Sequence, residues 1–193
     1  MIVVGIVGEI GSGKTYAAKI FENYGCNVFY ADKFVHSLYK KNKLINLEIS
    51  NFFKLKIKRN RVNLKDVSNL IIKNPNNLGK LNKIIHPEVK KNLLYFIRKN
   101  KKKKLIVLDI PLLLETDFKN FVNIVVFIKT ESRNLKKFRM KRQIDIKLVN
   151  VLKKFQFNEE VKKNLSDFTI KNLNSRFLKL QIKNLINKIT LND

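Results

Sequence analysis

Short, nearly continuous apolar runs alternate along the chain with longer stretches in which apolar residues recur at helical spacing. Five runs have the length and composition of strands that are buried on both faces. They lie at 2–7, 26–31, 105–111, 123–129 and, more weakly, 167–172. The amphipathic stretches lie at 14–24, 32–40, 64–73, 77–97, 131–142 and 175–190, with Ser175 as the predicted N-cap of the last. This alternation predicts an α/β fold in which helices flank a five-stranded parallel sheet.

The spacing of the predicted strands divides the 193 residues into a core and two insertions. We predict a single domain over 1–193, with its core at about 1–40, 104–142 and 165–193. A mainly helical insertion at about 41–103 separates the second and third strands, and we expect it to form a subdomain beside the sheet. A polar, helix-patterned insertion at about 143–164 follows the fourth strand, and its composition suits a mobile lid.

The formal charge of +26, from 41 Lys and Arg against 15 Asp and Glu, raises the question of a polyanionic partner. The lysines are spread along the chain rather than gathered in one stripe. Their densest run, at 98–104, precedes a predicted strand and is typical of a solvated helix end. We therefore attribute the charge to a compositional bias and predict no specific nucleic-acid partner.

The cysteine content and the apolar segments bear on the compartment. The chain has one cysteine, Cys26, which excludes an intrachain disulfide and which we interpret as a small core residue. No segment approaches the roughly 20 apolar residues of a membrane span. The apolar start, residues 1–8, leads into a glycine loop and not into a cleavage site. We therefore expect a cytoplasmic protein with no membrane partner.

The stretch "GEIGSGKT" (8–15) matches the phosphate-binding pattern G-x-x-x-x-G-K-[ST] at Gly8, Gly13, Lys14 and Thr15. It follows a predicted strand and opens a predicted helix, which is the context that such a loop requires. Glycines let backbone N–H groups approach phosphate oxygens, and the helix N-terminus adds the positive end of its dipole. Lys14 is expected to reach the β- and γ-phosphates, and Thr15 to ligate Mg²⁺. The sequence therefore predicts a nucleoside triphosphate site, and we expect ATP.

Two carboxylates follow predicted strands at the edge of the sheet where ligands of open α/β folds bind. Asp32 follows the second strand, in "FYADKFVHSLY". It serves there either as the base for an attacking hydroxyl or as a helix N-cap. Asp109 ends the apolar run "LIVLD", which is the pattern of an Mg²⁺-holding Walker-B aspartate, although apolar runs ending in Asp are common.

Two further stretches carry candidate chemistry. Residues 80–93 hold a His-Pro pair between helical patterns, with Pro87 suited to a first helical turn. Taken alone, His86 is more often a structural residue than a catalyst. The basic helix at 131–143 carries Arg133, Arg139 and Arg142. These cations either close over a transferring phosphoryl group or form a solvated helix face.

Taken together, these motifs resemble the dephospho-coenzyme A kinase family. The matching stretches are, in order, "GEIGSGKT", "ADKFVHSLY", "LNKIIHP", "VLDIPLLLE", "KKFRMKRQ" and "SDFTIKN", from residue 3 to about residue 175. The phosphate loop is common to many kinases, whereas the His-Pro element followed by "PLL" and Glu115 is much more particular. The resemblance implies a P-loop NTPase core with a helical substrate-binding insert and a lid.

The resemblance also implies an activity, the transfer of the ATP γ-phosphoryl group to the 3′-hydroxyl of dephospho-CoA. Asp32 matches the family's proposed catalytic base, and Lys14 and Arg142 are its expected catalytic companions. The acceptor is expected at Asp32, His86, Leu112 and Leu113, and Mg²⁺ at Thr15 and Asp109. The nucleotide is expected at Gly8, Gly11, Ser12, Gly13, Lys14, Thr15, Tyr16 and Asn172. We favour a monomer that acts on a small molecule.

Several positions depart from the family pattern, and two of them are tyrosines. Tyr16 replaces a small hydroxyl residue after Thr15, and Tyr30 stands where the family often has a further Asp. Asp32 is retained, so these departures concern substrate affinity more than reaction type. Two alternative functions stay open. A nucleoside or nucleoside-monophosphate kinase would share the core and lid but not the His-Pro and "PLLLE" elements. A nucleic-acid-binding ATPase would use the positive charge but would need a clustered basic face.

Overall fold

A computed structural model of the chain describes residues 1–131, 134, 135, 140 and 145–191. At its centre is a five-stranded parallel sheet. Its strands are β1 (Ile2–Gly8), β2 (Asn27–Tyr30), β5 (Leu105–Asp109), β6 (Ile124–Lys129) and β7 (Phe168–Lys171), while β3 (Ile57–Lys58) and β4 (Arg61–Val62) form a separate antiparallel hairpin. The order across the sheet is β2-β5-β1-β6-β7. The predicted α/β fold and its five parallel strands are confirmed.

Helices cover both faces of this sheet. One face carries α1 (Lys14–Asn23) and α8 (Ser175–Leu191). The other carries a helical layer made of α2 (Ala31–Lys41), α3 (Lys43–Phe53), α4 (Leu64–Lys73), α5 (Asn76–Lys99) and α6 (Ile146–Lys153). A short helix, α7 (Glu159–Asn164), lies beside β1, and a 3₁₀-helix (Asp117–Phe121) precedes β6. The sheet is therefore the middle layer of three.

The three central strands, β1, β5 and β6, were predictable because they are buried on both faces. Val3 and Val7 of β1 belong to the core under the α2–α6 layer, whereas Val4 and Ile6 belong to the core under α1 and α8. Successive side chains of a strand point to opposite faces, so a strand with helices on both sides must be apolar at nearly every position. The same alternation holds in β5 and β6.

The hydrophobic pattern did not predict α3 or the β3–β4 hairpin. α3 follows Asn42, whose side-chain oxygen accepts the Ile45 N–H (3.1 Å), and it ends at Lys54, which has a left-handed backbone (φ 54°). The hairpin turns at Arg59 and Asn60, which both have positive φ (51° and 60°), as a two-residue type I′ turn requires. Glycine is the usual residue at such positive-φ positions, so Lys54 and Arg59 gave no sequence signal for the end of α3 or for the hairpin turn.

Asn46 joins three elements of the helical insertion. Its amide nitrogen donates to the carbonyl oxygens of Leu38 (3.3 Å), Tyr39 (3.0 Å) and Asn42 (2.7 Å). Its side-chain oxygen accepts the Val62 N–H (2.9 Å), and the residue is only 1% exposed. A polar side chain so deeply buried is stable because its hydrogen bonds are made. The amide therefore ties α2 to α3 and to β4.

The predicted helix boundary at the His-Pro pair is wrong. α5 runs from Asn76 to Lys99, with Pro87 in its interior rather than in a first turn. Proline removes one backbone hydrogen bond there. Ile84, Ile85 and Val89 are buried around it, and their burial holds the helix in one piece.

The predicted lid at 143–164 corresponds, in its described part, to α6 and α7. α6 packs against α4, and Leu148 and Leu152 join the core of the helical layer. α7 packs against β1. The helix predicted at 131–142 falls mostly outside the described residues. In the part of the chain that the structure describes, no helix is long and apolar enough to cross a membrane.

Candidate active site

A cleft of about 420 Å³ opens at the carboxyl ends of β1, β5 and β2, which are neighbours in the sheet. Its floor is the loop between β1 and α1, and its walls come from α2, α5, the turn after β5 and the end of α6. Ligands of open parallel sheets bind at this edge. The predicted site residues that line the cleft are Gly11, Gly13, Lys14, Thr15, Asp32, His86, Asp109 and Leu112.

The loop on the cleft floor, residues 8–15, needs glycine at three positions. Gly8 has a φ of 156°, and a Cβ on it would lie 2.8 Å from the backbone oxygen of Ile128. Gly11 and Gly13 have positive φ (85° and 89°), a backbone region that other residues enter only with strain. A Cβ on Gly13 would also lie 2.6 Å from Nδ2 of Asn172. Without side chains here, backbone N–H groups stay accessible to phosphate oxygens. The loop therefore fits a nucleotide.

Two side chains hold the carbonyl oxygen of Ser12 from behind this loop. Oγ1 of Thr130 donates to it (2.7 Å), as does Nδ2 of Asn172 (2.9 Å), and all three residues are buried. In a trans peptide the carbonyl and the following N–H point in opposite directions. The two bonds therefore direct the Gly13 N–H away from Thr130 and Asn172. Asn172 supports the loop in this way, and its contact with the nucleotide base stays a prediction.

Lys14 brings a half-buried positive charge to the loop. Its Nζ donates to the carbonyl oxygens of Gly8 (3.0 Å) and Glu9 (2.9 Å). Burial lowers the pKa of Lys14 to about 8, Asp109 opposes that shift, and Lys162 adds to it. The ammonium form still predominates at neutral pH. The cleft therefore offers a cation to an incoming phosphate.

Two adjacent residues of α1 face different neighbours. Thr15 lines the cleft. The Tyr16 hydroxyl instead lies 2.6 Å from Oγ of Ser175, at the start of α8. The prediction that Ser175 is the N-cap of this helix is wrong. The capping residue is Asn174, whose side-chain oxygen accepts the Phe177 N–H (2.9 Å). Tyr16 thus joins α1 to α8, and its contact with the nucleotide stays a prediction.

Asp32 lies in the first turn of α2, with its side chain opening into the cleft. The N-cap of α2 is Tyr30, so the capping role considered for Asp32 is not supported. Desolvation by the cleft walls raises the pKa of Asp32, Asp109 raises it further, and Lys14 opposes both. A carboxylate whose pKa is raised in a cleft and which lies near a fixed cation is suited to proton transfer.

Asp109 is the last residue of β5, is buried, and pairs in register with Tyr30 of β2. It lines the cleft together with Thr15. Among the described residues, no group of three or more His, Cys, Asp or Glu side chains could hold a metal ion. The binding of Mg²⁺ at Thr15 and Asp109 stays a prediction.

His86 and Leu112 line the cleft from α5 and from the turn after β5. The His86 ring meets the Phe118 ring edge to face, with centroids 5.2 Å apart. Burial lowers the pKa of His86, against the effect of Asp117, so the imidazole is neutral at pH 7. Leu112 has a left-handed backbone (φ 56°), and its carbonyl accepts Oγ1 of Thr116 (2.9 Å). Such strain in a leucine is typical of a functional turn.

Leu113 does not line the cleft. It is 1% exposed and belongs to the core, where a Cβ on Gly5 would overlap its Cδ2 atom. The predicted contact between Leu113 and the acceptor is therefore not supported, because the side chain fills the space below the turn. Arg142, the third predicted catalytic residue, lies outside the described residues, as do Arg133 and Arg139.

The cleft also contains residues that no motif indicated. Val35 and Tyr39 follow Asp32 at helical spacing on α2, and this periodicity would have found them. Leu152 and Gln156 come from the end of α6 and the turn after it. They carry no sequence signal, because only the packing of α6 against the helical layer brings them there.

A strand–glycine loop–helix unit, a half-buried lysine and carboxylates at one sheet edge define this protein as a P-loop phosphotransferase. The family model described as "Dephospho-CoA kinase" matches residues 2–177. The chain belongs to the dephospho-CoA kinase family, as the motifs predicted. It is accordingly an enzyme that uses ATP as phosphate donor and acts on a small molecule.

Individual relatives agree with this assignment. The chain is 31% identical to the dephospho-CoA kinase of Wolbachia pipientis wMel over 194 residues, which covers 99% of this chain and 100% of the relative. The crystal structure of TT1252 from Thermus thermophilus matches with a TM-score of 0.80 at 23% identity, over 97% of both chains. The dephospho-CoA kinase from Campylobacter jejuni matches with a TM-score of 0.64 at 23% identity, over 97% of this chain and 96% of that one. The two structures support the fold.

Proposed function

We propose that this chain transfers the γ-phosphoryl group of ATP to the 3′-hydroxyl of dephospho-CoA, giving CoA and ADP. The observation that carries the proposal is the single cleft in which the phosphate loop and the helical insertion face each other, with Asp32 in its wall. Donor and acceptor would meet there. Family membership supports dephospho-CoA as the acceptor.

The donor would bind on the cleft floor. The loop N–H groups and Lys14 would hold the β- and γ-phosphates. Thr15 and Asp109 would hold Mg²⁺, which neutralises phosphate charge when it is bound. Asn172 would act by keeping the loop in shape, as its bond to Ser12 suggests.

Asp32 would accept the proton of the attacking 3′-hydroxyl. The hydroxyl oxygen forms a bond to the γ-phosphorus, the bond from that phosphorus to the β-γ bridging oxygen breaks, and ADP leaves with the bond pair. Lys14 stays positively charged and stabilises the oxygens that gain charge. Desolvation of Asp32 supports this role, because it makes the carboxylate a stronger base than a free aspartate.

The acceptor would lie along the α5 side of the cleft. Leu78, Leu81, Ile85 and Val89 supply an apolar wall, and the neutral His86 supplies a hydrogen-bonding group. Leu112 would contact the acceptor from the opposite turn. The monomeric state and the cytoplasmic location stay predictions.

The decisive experiment measures ADP release by the purified chain with a panel of acceptors. We expect turnover with dephospho-CoA and little with nucleosides or nucleoside monophosphates. The reverse ranking would favour the nucleoside kinase alternative. Random DNA serves as a further arm because of the net charge of +26. DNA-stimulated hydrolysis with steep salt dependence would favour a nucleic-acid-binding ATPase.

A further inference from the structure

Glu115 connects the turn after β5 to the chain that follows α6. Its Oε1 accepts the backbone N–H of Phe157 (2.8 Å) and lies 3.4 Å from Nζ of Lys162 on α7. The side chains of Glu115 and Lys162 are only 9% and 3% exposed. One carboxylate therefore ties both the start and the end of segment 154–165 to a turn that lines the cleft.

A second ion pair of the same segment provides a contrast. Lys129 and Glu159 are also 3.4 Å apart, but their side chains are 45% and 44% exposed. Solvent screens an exposed pair, which contributes little. Removing one partner of a buried pair leaves an uncompensated charge in the interior. Burial lowers the pKa of Lys162, and Glu115 opposes that shift by favouring the ammonium form. The buried pair is thus the one that fixes the segment.

The segment carries one polar side chain into the cleft. Gln156 precedes Phe157, the residue whose N–H Glu115 accepts, and it lines the cleft with Leu152. Leu152 also packs on the core of the helical layer. The end of α6, next to Gln156 in the chain, thus lies against the layer that the helical insertion forms, where the acceptor is expected.

We propose that Gln156 is a hydrogen-bonding residue for the acceptor and that Glu115, fixed by Lys162, is the positioning residue that holds Gln156 in the cleft. The inference rests on the proposed function for the identity of the acceptor. The Gln156 amide both donates and accepts, so it suits a ribose hydroxyl or a phosphate oxygen of that molecule.

The test compares three variants with wild type by steady-state kinetics. Gln156→Ala removes the amide. Glu115→Leu with Lys162→Met removes both charges together, so that no unpaired charge stays buried if Glu115→Leu alone fails to fold. The third variant combines all three substitutions. Glu159→Gln is the matched control, since it removes a carboxylate from the exposed pair of the same segment.

We expect Gln156→Ala to raise KM for dephospho-CoA about 5- to 10-fold, the loss of one hydrogen bond, with KM for ATP within about twofold of wild type. The Glu115→Leu/Lys162→Met variant should show the same rise in KM for dephospho-CoA. The combined variant should show no larger rise, because both changes remove the contact of Gln156 with the acceptor. The control should stay within about twofold. Additive losses, or an unchanged KM in the pair variant, would overturn the proposal.

Hydrogen exchange at the Phe157 amide separates this inference from the proposed function. We expect faster exchange in the pair variant than in wild type and in Glu159→Gln, whichever acceptor is used. Wild type that fails to turn over dephospho-CoA would contradict the proposed function alone. Unchanged exchange at Phe157 would contradict the positioning role of Glu115 alone.

Discussion

Removing both Thr130 and Asn172 should weaken ATP binding far more than removing either side chain. In Asn172→Ala the Ser12 carbonyl keeps the Thr130 hydroxyl (2.7 Å), and in Thr130→Val it keeps the Asn172 amide (2.9 Å). Only the double variant takes both donors from a carbonyl whose residue is 1% exposed. The Ser12–Gly13 peptide then loses the groups that direct the Gly13 N–H away from Thr130 and Asn172, toward the side where we expect the phosphate.

The magnitudes follow from these two bonds. One neutral hydrogen bond contributes about 1 kcal/mol, so each single variant should raise the Kd for ATP about 5-fold. Two independent losses would multiply to about 25-fold. A buried acceptor left without a donor costs about 1–3 kcal/mol more. In the double variant, the loop without ATP avoids that cost by rotating the Ser12–Gly13 peptide. ATP binding then has to rotate this peptide back. We therefore expect the double variant to bind ATP at least about 10²-fold more weakly.

Isothermal titration calorimetry with ATP measures the four affinities, and thermal unfolding checks that each variant folds. Thr169→Val is the matched control, since it makes the same substitution at an exposed position of β7 and should leave the Kd unchanged. If the loss of ATP affinity in the double variant only equals the product of the two single losses, the reasoning that both side chains support one carbonyl is refuted. Wild-type affinity in Asn172→Ala would show that its bond to Ser12 does not hold the loop.

Four further predictions concern catalysis, stability and reactivity. Asp32→Asn should lower kcat by about 10²–10⁴-fold with ATP affinity retained, and near-normal turnover would contradict a base role. In wild type, kcat/KM should fall as the pH drops through the raised pKa of Asp32, so the acidic limb should lie above the ordinary value of 3.8. Asn46→Leu should lower the free energy of unfolding in urea by about 2–3 kcal/mol, because the buried Val62 N–H loses its acceptor; a loss below about 0.5 kcal/mol would contradict this. Burial raises the pKa of Cys26 to about 11, so its alkylation at pH 8 should be at least about 10²-fold slower than in urea, and equal rates would place the thiol at the surface.

The sequence predicted those parts of the fold in which a single local pattern determines the secondary structure. Strands covered on both faces must be apolar throughout, so β1, β5 and β6 appeared as uniform runs. α3 and the β3–β4 hairpin were missed because their backbone signals are atypical. Lys54 and Arg59 adopt positive φ without being glycine, and only the surrounding contacts stabilise them there.

Within the site, the motif residues were predictable from the sequence, but the residues that hold them in place were not. The family resemblance implied acceptor contacts for both Leu112 and Leu113, yet Leu112 lines the cleft and Leu113 fills the core. The sequence alone does not show which of two adjacent leucines a left-handed turn directs into the cleft. Glu115 and Lys162 meet only because α7 packs against β1. Such a buried pair depends on tertiary structure, so neither residue alone indicates it.

The order of the strands explains why these residues act together. The phosphate loop follows β1, Asp32 follows β2 and Asp109 ends β5, and the sheet places β5 between β2 and β1. Three carboxyl ends therefore converge, although the helical insertion separates two of them in sequence. The insertion then covers the same edge, because α5 must return the chain to β5 beside β2. A cleft that joins the phosphate loop, the proposed base and the proposed acceptor wall is thus a direct consequence of inserting helices between β2 and β5.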